Sequence, residues 1–294
     1  MKDLAGRVAV VTGGAGGIGR GIVEALLDKQ VKVVIGDIEE PVLQKAVAEL
    51  SGRGDVVGMR TDVSDPASVE ALAAFTYERH GVCHLLFNNA GVTSGGGGKP
   101  WEQEINDFRW CLGVNVFGVA NGVFSFVPRM LASGEPGHII NTSSGDGGFA
   151  PVPNASIYAT SKAAVSCYTE ALAHNFVLHA PQMKATVFYP SGGFLETGLW
   201  TAPRNRPSEL ARIKERAAAP MTTMAEFKEA AEKAGRPLKI MDVNELGRFV
   251  IEGVEADKYI ISHNLHEVGD LLRARAAVIE TGDLPPHSLK DLYS

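Results

Sequence analysis

Short runs that are apolar at every position, rather than at alternate ones, recur along the chain at Val8–Val11, Val31–Ile35, Val56–Met59, His84–Phe87, His138–Asn141, Ala185–Phe188 and Tyr259–Ile261. Such runs suit strands covered on both faces, as in a parallel sheet packed between helices. Helix-length stretches separate them, and Asp65-Pro66 supplies a helix start with Asp as N-cap and Pro at the first helical position. The alternation predicts an α/β fold with a doubly wound parallel sheet of about seven strands, formed by residues 1–294 as one domain. One region interrupts it. Residues 194–242 are rich in Pro, Ala, Lys and Glu, with helical patterning over Pro207–Ala219 and Met224–Ala234. Connections longer than about 15 residues in a compact domain usually carry structure and function. The segment is therefore expected to be a helical insertion at the sheet's carboxyl edge, acting as a lid over substrate, with 280–294 a C-terminal tail. Gly95–Gly98 follows a strand end and reads equally as a mobile loop beside a pocket or a slack connection.

Composition narrows the partners. The 294 residues carry a formal net charge of −6 with no basic block, which argues against nucleic acid and anionic membrane surfaces and leaves small molecules. The opening MKDLAGRVAV has no signal-like apolar region, and no run reaches the roughly 18 apolar residues of a membrane span. The expectation is a soluble cytoplasmic protein. Cys83, Cys111 and Cys167 are odd in number and lie among apolar residues, so they are expected to be reduced, buried thiols. His263-Asn264-Leu265-His266-Glu267 lacks the spacing and third ligand of a zinc site, and no metal is expected.

The stretch TGGAGGIG at 12–19 puts five glycines where the first strand hands over to a helix. Free backbone N–H groups and the positive end of a helix dipole bind phosphate oxygens there, so a pyrophosphate is expected over Gly13–Gly19. Close helix–sheet packing would also select glycines. Asp37, about 20 residues on at the end of the second strand, favours a dinucleotide, because a carboxylate can accept from both ribose hydroxyls. The same charge repels a 2′-phosphate, which favours NAD over NADP.

With these features in place the sequence resembles the short-chain dehydrogenases/reductases over about residues 4–190. The motifs are TGGAGGIG, Asp62-Val63, NNAG at 88–91, Asn115 within VNVFG, the serine strand IINTSS, and YATSK at 158–162. The resemblance implies a Rossmann-like fold and a catalytic set of Asn115, Ser144, Tyr158 and Lys162. It implies cofactor contacts from Gly13, Gly17, Ile18, Gly19, Asp37, Ile38, Asp62, Val63, Asn89, Ala90, Gly91, Tyr158 and Lys162. Past the sixth strand, about two inserted residues bring GFLET into register. Leu195 would then offer its backbone to the nicotinamide carboxamide and Thr197 its hydroxyl to the phosphates. The family commonly pairs the helices carrying Asn115 and Tyr158, which implies a homodimer or homotetramer.

The chemistry also follows from the residues. Moving hydride from a secondary alcohol requires removal of the hydroxyl proton, and a tyrosine with a pKa near 10 is a poor base at neutral pH. Lys162 lies one helical turn after Tyr158, and its charge would favour the phenolate. Ser144 would hydrogen-bond the substrate oxygen, with Ser143 competing for that role, and Asn115 would hold a water linking the lysine to solvent.

A narrower resemblance, carried by NGVFSFVPRM, GHIINTSS and KYIISH, is to the Cα-dehydrogenases of bacterial lignin-dimer breakdown. It points to a bulky hydrophobic or aromatic secondary alcohol and its ketone, with Phe149, Val152, Pro153, Phe194, Leu199 and Trp200 as pocket candidates. A smaller or alicyclic alcohol (steroid, terpenoid or cyclic diol) is the enzymatic alternative. A non-catalytic NAD-binding regulatory protein is the other, and the intact catalytic set counts against it.

Overall fold

The computed structural model describes residues 1–93, 98–214, 224–233, 235 and 239–288. Gly95–Gly97 of the glycine run lies outside them. All seven expected strands form: β1 Val8–Thr12, β2 Lys32–Asp37, β3 Val56–Arg60, β4 Leu85–Asn88, β5 Gly137–Thr142, β6 Met183–Phe188 and β7 Ile260–Ile261. They make one parallel sheet in the order β3-β2-β1-β4-β5-β6-β7. β1 and β4 are buried at every residue, which is why their sequences show no alternation.

The order reverses between β1 and β4, so their carboxyl ends open a crevice where such sheets bind ligands. On one face Ile22 and Leu26 of α1 (Gly17–Asp28), Leu43 of α2 (Glu40–Leu50) and Leu246 and Val250 of α9 (Val243–Glu255) pack on Val11, Val33 and Phe87. On the other, Leu72 of α3 (Pro66–His80), Phe126 of α5 (Gly118–Ser133) and Phe176 of α7 (Ser156–His179) pack on Val10, Val34 and Leu86. Asp65 caps α3 as expected, accepting from the Ala67 amide, with Pro66 at the first helical position.

α4 (Ile105–Leu112) runs through a π-helical turn, Gly113–Phe117, into α5. The continuous stretch Ile105–Ser133 is long and apolar enough to cross a membrane by composition, but 61% of its apolar window is buried inside the fold, so it serves as a core helix. Two expectations are corrected. Cys83 and Cys111 are buried, whereas Cys167 is exposed on the outer side of α7. The helix expected over Pro207–Ala219 is, in its described part, a single 3-10 turn Ser208–Leu210 followed by irregular chain. Side chains pull this stretch out of helical shape. Arg206 and Arg212 both reach the fully buried Asp107 of α4, and the Glu104 carboxylate accepts from the Ile213 and Lys214 amides. Residues 215–219 lie outside the described set. α8 (Met224–Lys233) matches the second expected helix of the insertion.

Candidate active site

The glycine loop answers to two demands. A Cβ on Gly19 would stand 2.0 Å from the Gly13 carbonyl and 2.7 Å from Asn89 Nδ2, so packing alone excludes a side chain there. Gly13 and Gly17 have φ of +62° and +52°, a conformation that side chains resist. Gly16, by contrast, has nothing within 4 Å of where a Cβ would be. That open face at the N-terminus of α1 is the space a phosphate needs, so the residues fit a dinucleotide pyrophosphate.

The loop is fixed from β4. The Asn89 side-chain amide donates to the Thr12 and Gly13 carbonyls, and the Asn89 and Ala90 amides both donate to Thr12 Oγ1. Asn89 is thus first a staple between strand and loop. At the far end of the cleft, Asp37 accepts from the Ala15 amide on one oxygen and the Glu39 amide on the other, each at 3.1 Å. Each oxygen keeps a lone pair for a ribose hydroxyl. Burial pushes the Asp37 carboxyl above its ordinary value, against the pull of those backbone donors. The cleft wall also includes Ile18, Ile38, Asp62, Val63, Ala90, Gly91, Tyr158 and Lys162. All the predicted cofactor residues except Gly19 and Leu195 therefore line one groove.

Two of the four catalytic candidates, Tyr158 and Lys162, line this groove, and the other two, Ser144 and Asn115, stand behind them. Ser144 follows β5, caps the one-turn α6 (Gly145–Gly148) by accepting from the Asp146 amide, and hydrogen-bonds the Tyr158 side chain. Ser143, the competitor, is buried and committed elsewhere: its hydroxyl donates to the Lys162 carbonyl and pairs with Ser166. The geometry favours Ser144. Lys162 Nζ is buried, donates to the Thr142 carbonyl at 2.9 Å and lies 5.6 Å from the Tyr158 ring centroid.

Burial pushes the Tyr158 phenol above its ordinary value, opposed by the Ser144 hydrogen bond, and the Asp146 charge pushes the same way as burial. The same burial brings the Lys162 ammonium down to about 8. In the protein alone, then, Lys162 does not hold Tyr158 as phenolate. Asn115 sits in the π-helical turn with its side chain fully engaged, accepting from the Val92 amide and donating to the Val92 carbonyl and Ser161 Oγ. Ser161 in turn donates to the Tyr158 carbonyl. The side chain fastens the first turn of α7.

Past β6, the Leu195 carbonyl accepts the Trp200 indole N–H. Thr197 Oγ1 accepts from the Leu199 amide at the start of a 3-10 stretch, Gly198–Asn205, and its Cβ lies 3.1 Å from where a side chain on Gly17 would begin. Of the six substrate-pocket candidates, Leu199 alone lines the groove. Phe149 instead packs on Tyr189 with ring centroids 4.1 Å apart. Phe194 bridges to Ile240, and Trp200 is tied to Leu195. Val152 and Pro153 lie at a 3-10 turn before α7. Sequence reasoning missed Glu39, Arg204 and Asn205, which also wall the groove. Only Glu39 had a signal, its place two residues after Asp37.

The family model described as short chain dehydrogenase matches residues 7–204. A C alpha-dehydrogenase from Sphingobium sp. (strain NBRC 103272 / SYK-6) is 43% identical over 170 residues, which cover 56% of this chain and 53% of that protein. The match thus spans about half of that curated relative. A 2,5-dichloro-2,5-cyclohexadiene-1,4-diol dehydrogenase from Sphingobium indicum is 38% identical over 175 residues, covering 59% of this chain and 68% of its own length. The crystal structure of a short chain dehydrogenase/reductase from Burkholderia phymatum in complex with NAD superposes with a TM-score of 0.86 at 35% identity, covering 98% of this chain and 99% of that one.

Proposed function

The chain belongs to the short chain dehydrogenase family, and we propose that it is an NAD-dependent oxidoreductase that interconverts a bulky hydrophobic or aromatic secondary alcohol and its ketone. One observation carries this reading: Tyr158, bonded to Ser144, and the buried Lys162 one turn further along α7 line the same groove as Asp37. The NAD bound by a structural neighbour covering nearly the whole chain supports the cofactor assignment.

NAD, when bound, supplies the hydride acceptor for the carbinol carbon. Gly16 and the α1 N-terminus would hold its phosphates, Asp37 its adenosine ribose and Lys162 its second ribose. Ser144 orients the alcohol oxygen. Tyr158 takes the hydroxyl proton in oxidation and returns it in reduction. Its raised pKa keeps the phenol protonated before ligands arrive, so the positive charge gathered around it on cofactor binding is what favours the phenolate. Asn115 acts as a positioning residue through Ser161.

The bulky aromatic class rests on the likeness to the C alpha-dehydrogenase. A smaller alicyclic alcohol is the second reading, supported by the likeness to a cyclic diol dehydrogenase and by the five pocket candidates that stand away from the groove. A panel of benzylic and alicyclic alcohols, followed by NADH absorbance, separates the two. The expected result is turnover of benzylic substrates with NAD in preference to NADP, and loss of roughly 10²–10⁴-fold in Tyr158→Phe with NADH binding kept. Turnover confined to small alicyclic alcohols would reject the first substrate class. Activity surviving in Tyr158→Phe would reject the mechanism.

A further inference from the structure

The stretch Thr197–Asn205 crosses the groove as a strap. One foot rests at Thr197 against Gly17 of the glycine loop. The other rests at the corner after β2, where Arg204 Nε donates to Glu39 Oε2 at 3.1 Å, a second Arg204 nitrogen donates to Glu39 Oε1 at 2.5 Å, and Asn205 Nδ2 donates to Glu39 Oε1 at 3.0 Å. The third arm of the Arg204 guanidinium holds the strap's own Gly198 carbonyl and Thr201 hydroxyl, so one side chain stiffens the strap and pins it. Glu39 lies two residues beyond Asp37, and its amide is one of the donors that orient the Asp37 carboxylate.

We propose that Arg204, Asn205 and Glu39 form a clasp that fixes this strap across the cofactor groove and sets the rate at which cofactor leaves. The proposal rests on the reading of the groove as an NAD site. The two ends of the strap region differ in a way that suits opening at the clasp. Beyond Asn205 the chain is anchored by Arg206 and Arg212 on Asp107, whose side chain is 0% exposed, and Arg206 also lies over the Trp110 ring at 5.2 Å. Removing one partner from such a buried cluster leaves an uncompensated charge, so that anchor stays shut. The clasp is solvent-facing, with Arg204 41% and Glu39 24% exposed, and ion pairs of that kind contribute little and are screened by salt. The strap can therefore release at Glu39 while hinged at Asp107.

The test is stopped-flow measurement of NADH dissociation by fluorescence. Glu39→Ala and Arg204→Ala are each expected to speed release about fivefold or more, and the double variant to fall well short of the product of the singles, since both remove the Glu39–Arg204 bonds while each also removes bonds of its own. Release from the wild type should quicken with ionic strength, and release from the double variant should not. Thermal melts check that each variant is folded. Dissociation within twofold of wild type in both single variants overturns the clasp, as does a double variant whose effect is the product of the singles. A wild-type chain that binds no NADH overturns the cofactor reading and the clasp together, whereas normal binding with unchanged release overturns the clasp alone.

Discussion

Lys162 occupies a place that suits the reaction better than it suits folding. Its ammonium is buried and donates to the Thr142 carbonyl, and its pKa falls to about 8 from 10.5. The depressed value means that the folded state holds this proton less firmly than the unfolded state does. Between about pH 8 and 10.5 the unfolded chain binds the extra proton, so stability rises with pH across that window, and below pH 8 the full cost of the buried charge, about 3 kcal/mol, is present. Lys162→Met removes the charge but strands the Thr142 carbonyl, a loss of about 1–3 kcal/mol that does not depend on pH. The expected outcome is a variant without turnover whose stability relative to wild type declines as pH rises from 8 to 10.5, read from denaturation midpoints at several pH values. A difference constant over that range would show that the ammonium is not buried in this way. The sequence made the identity of Lys162 and its spacing from Tyr158 legible, because one helical turn brings them together whatever the rest of the fold does. It could not show which effect governs the tyrosine, since burial depends on how α6 and α7 close over it. The Glu39–Arg204 contact was equally hidden, since no local pattern links residues 165 positions apart.

At the scale of elements, α1 is held by α9 through an unusually close crossing. A Cβ on Gly21 would stand 2.0 Å from the Val243 carbonyl, and one on Gly247 would stand 2.1 Å from the Gly21 carbonyl. Two helix backbones touch here without side chains between them, and α1 is the helix whose N-terminus faces the phosphate site. Gly247→Ala in a helix interior would ordinarily gain up to about 1 kcal/mol from propensity, but here the added methyl meets backbone that cannot rotate away. Overpacking of this kind costs about 1–3 kcal/mol or more, so a net loss of stability is expected from urea denaturation, together with weaker NADH binding as α1 shifts. A gain in stability would mean that the helices part freely. The strands were legible from sequence because burial on both faces writes continuous apolar runs. The described part of Pro207–Ala219, residues 207–214, was misread because helical periodicity is a weak prior, overridden here by the reach of Arg206 and Arg212 to Asp107.

For the whole molecule, the face made by α5 and α7 stands out for the apolar side chains it exposes. Phe117, Phe124 and Leu131 are 60%, 69% and 38% exposed, and their spacing of seven residues sets them in one stripe along the π-helical turn and α5. Val177 and Leu178 near the end of α7 are likewise exposed, and Cys167, expected inside, lies on the outer side of the same helix. The opposite, core-facing side of α5 is spent on Val123, Phe126 and Met130 in the interior, so the exposed stripe is surplus to folding the monomer. We propose that a second copy covers it, since a twofold arrangement lets one apolar stripe satisfy another of the same composition. Such an arrangement would back the helices that carry Tyr158, Lys162 and, through its π turn, Asn115, so association and catalysis would be linked through α7. Phe124→Asp tests this without disturbing the core, because the wild-type ring already faces solvent in the monomer. Sedimentation should show the wild type as a dimer or larger even-numbered assembly and the variant shifted toward monomer, with turnover per chain falling as the subunits part. A wild type that sediments as monomer, or a variant assembled as fully as wild type, would rule out this face as the contact between subunits.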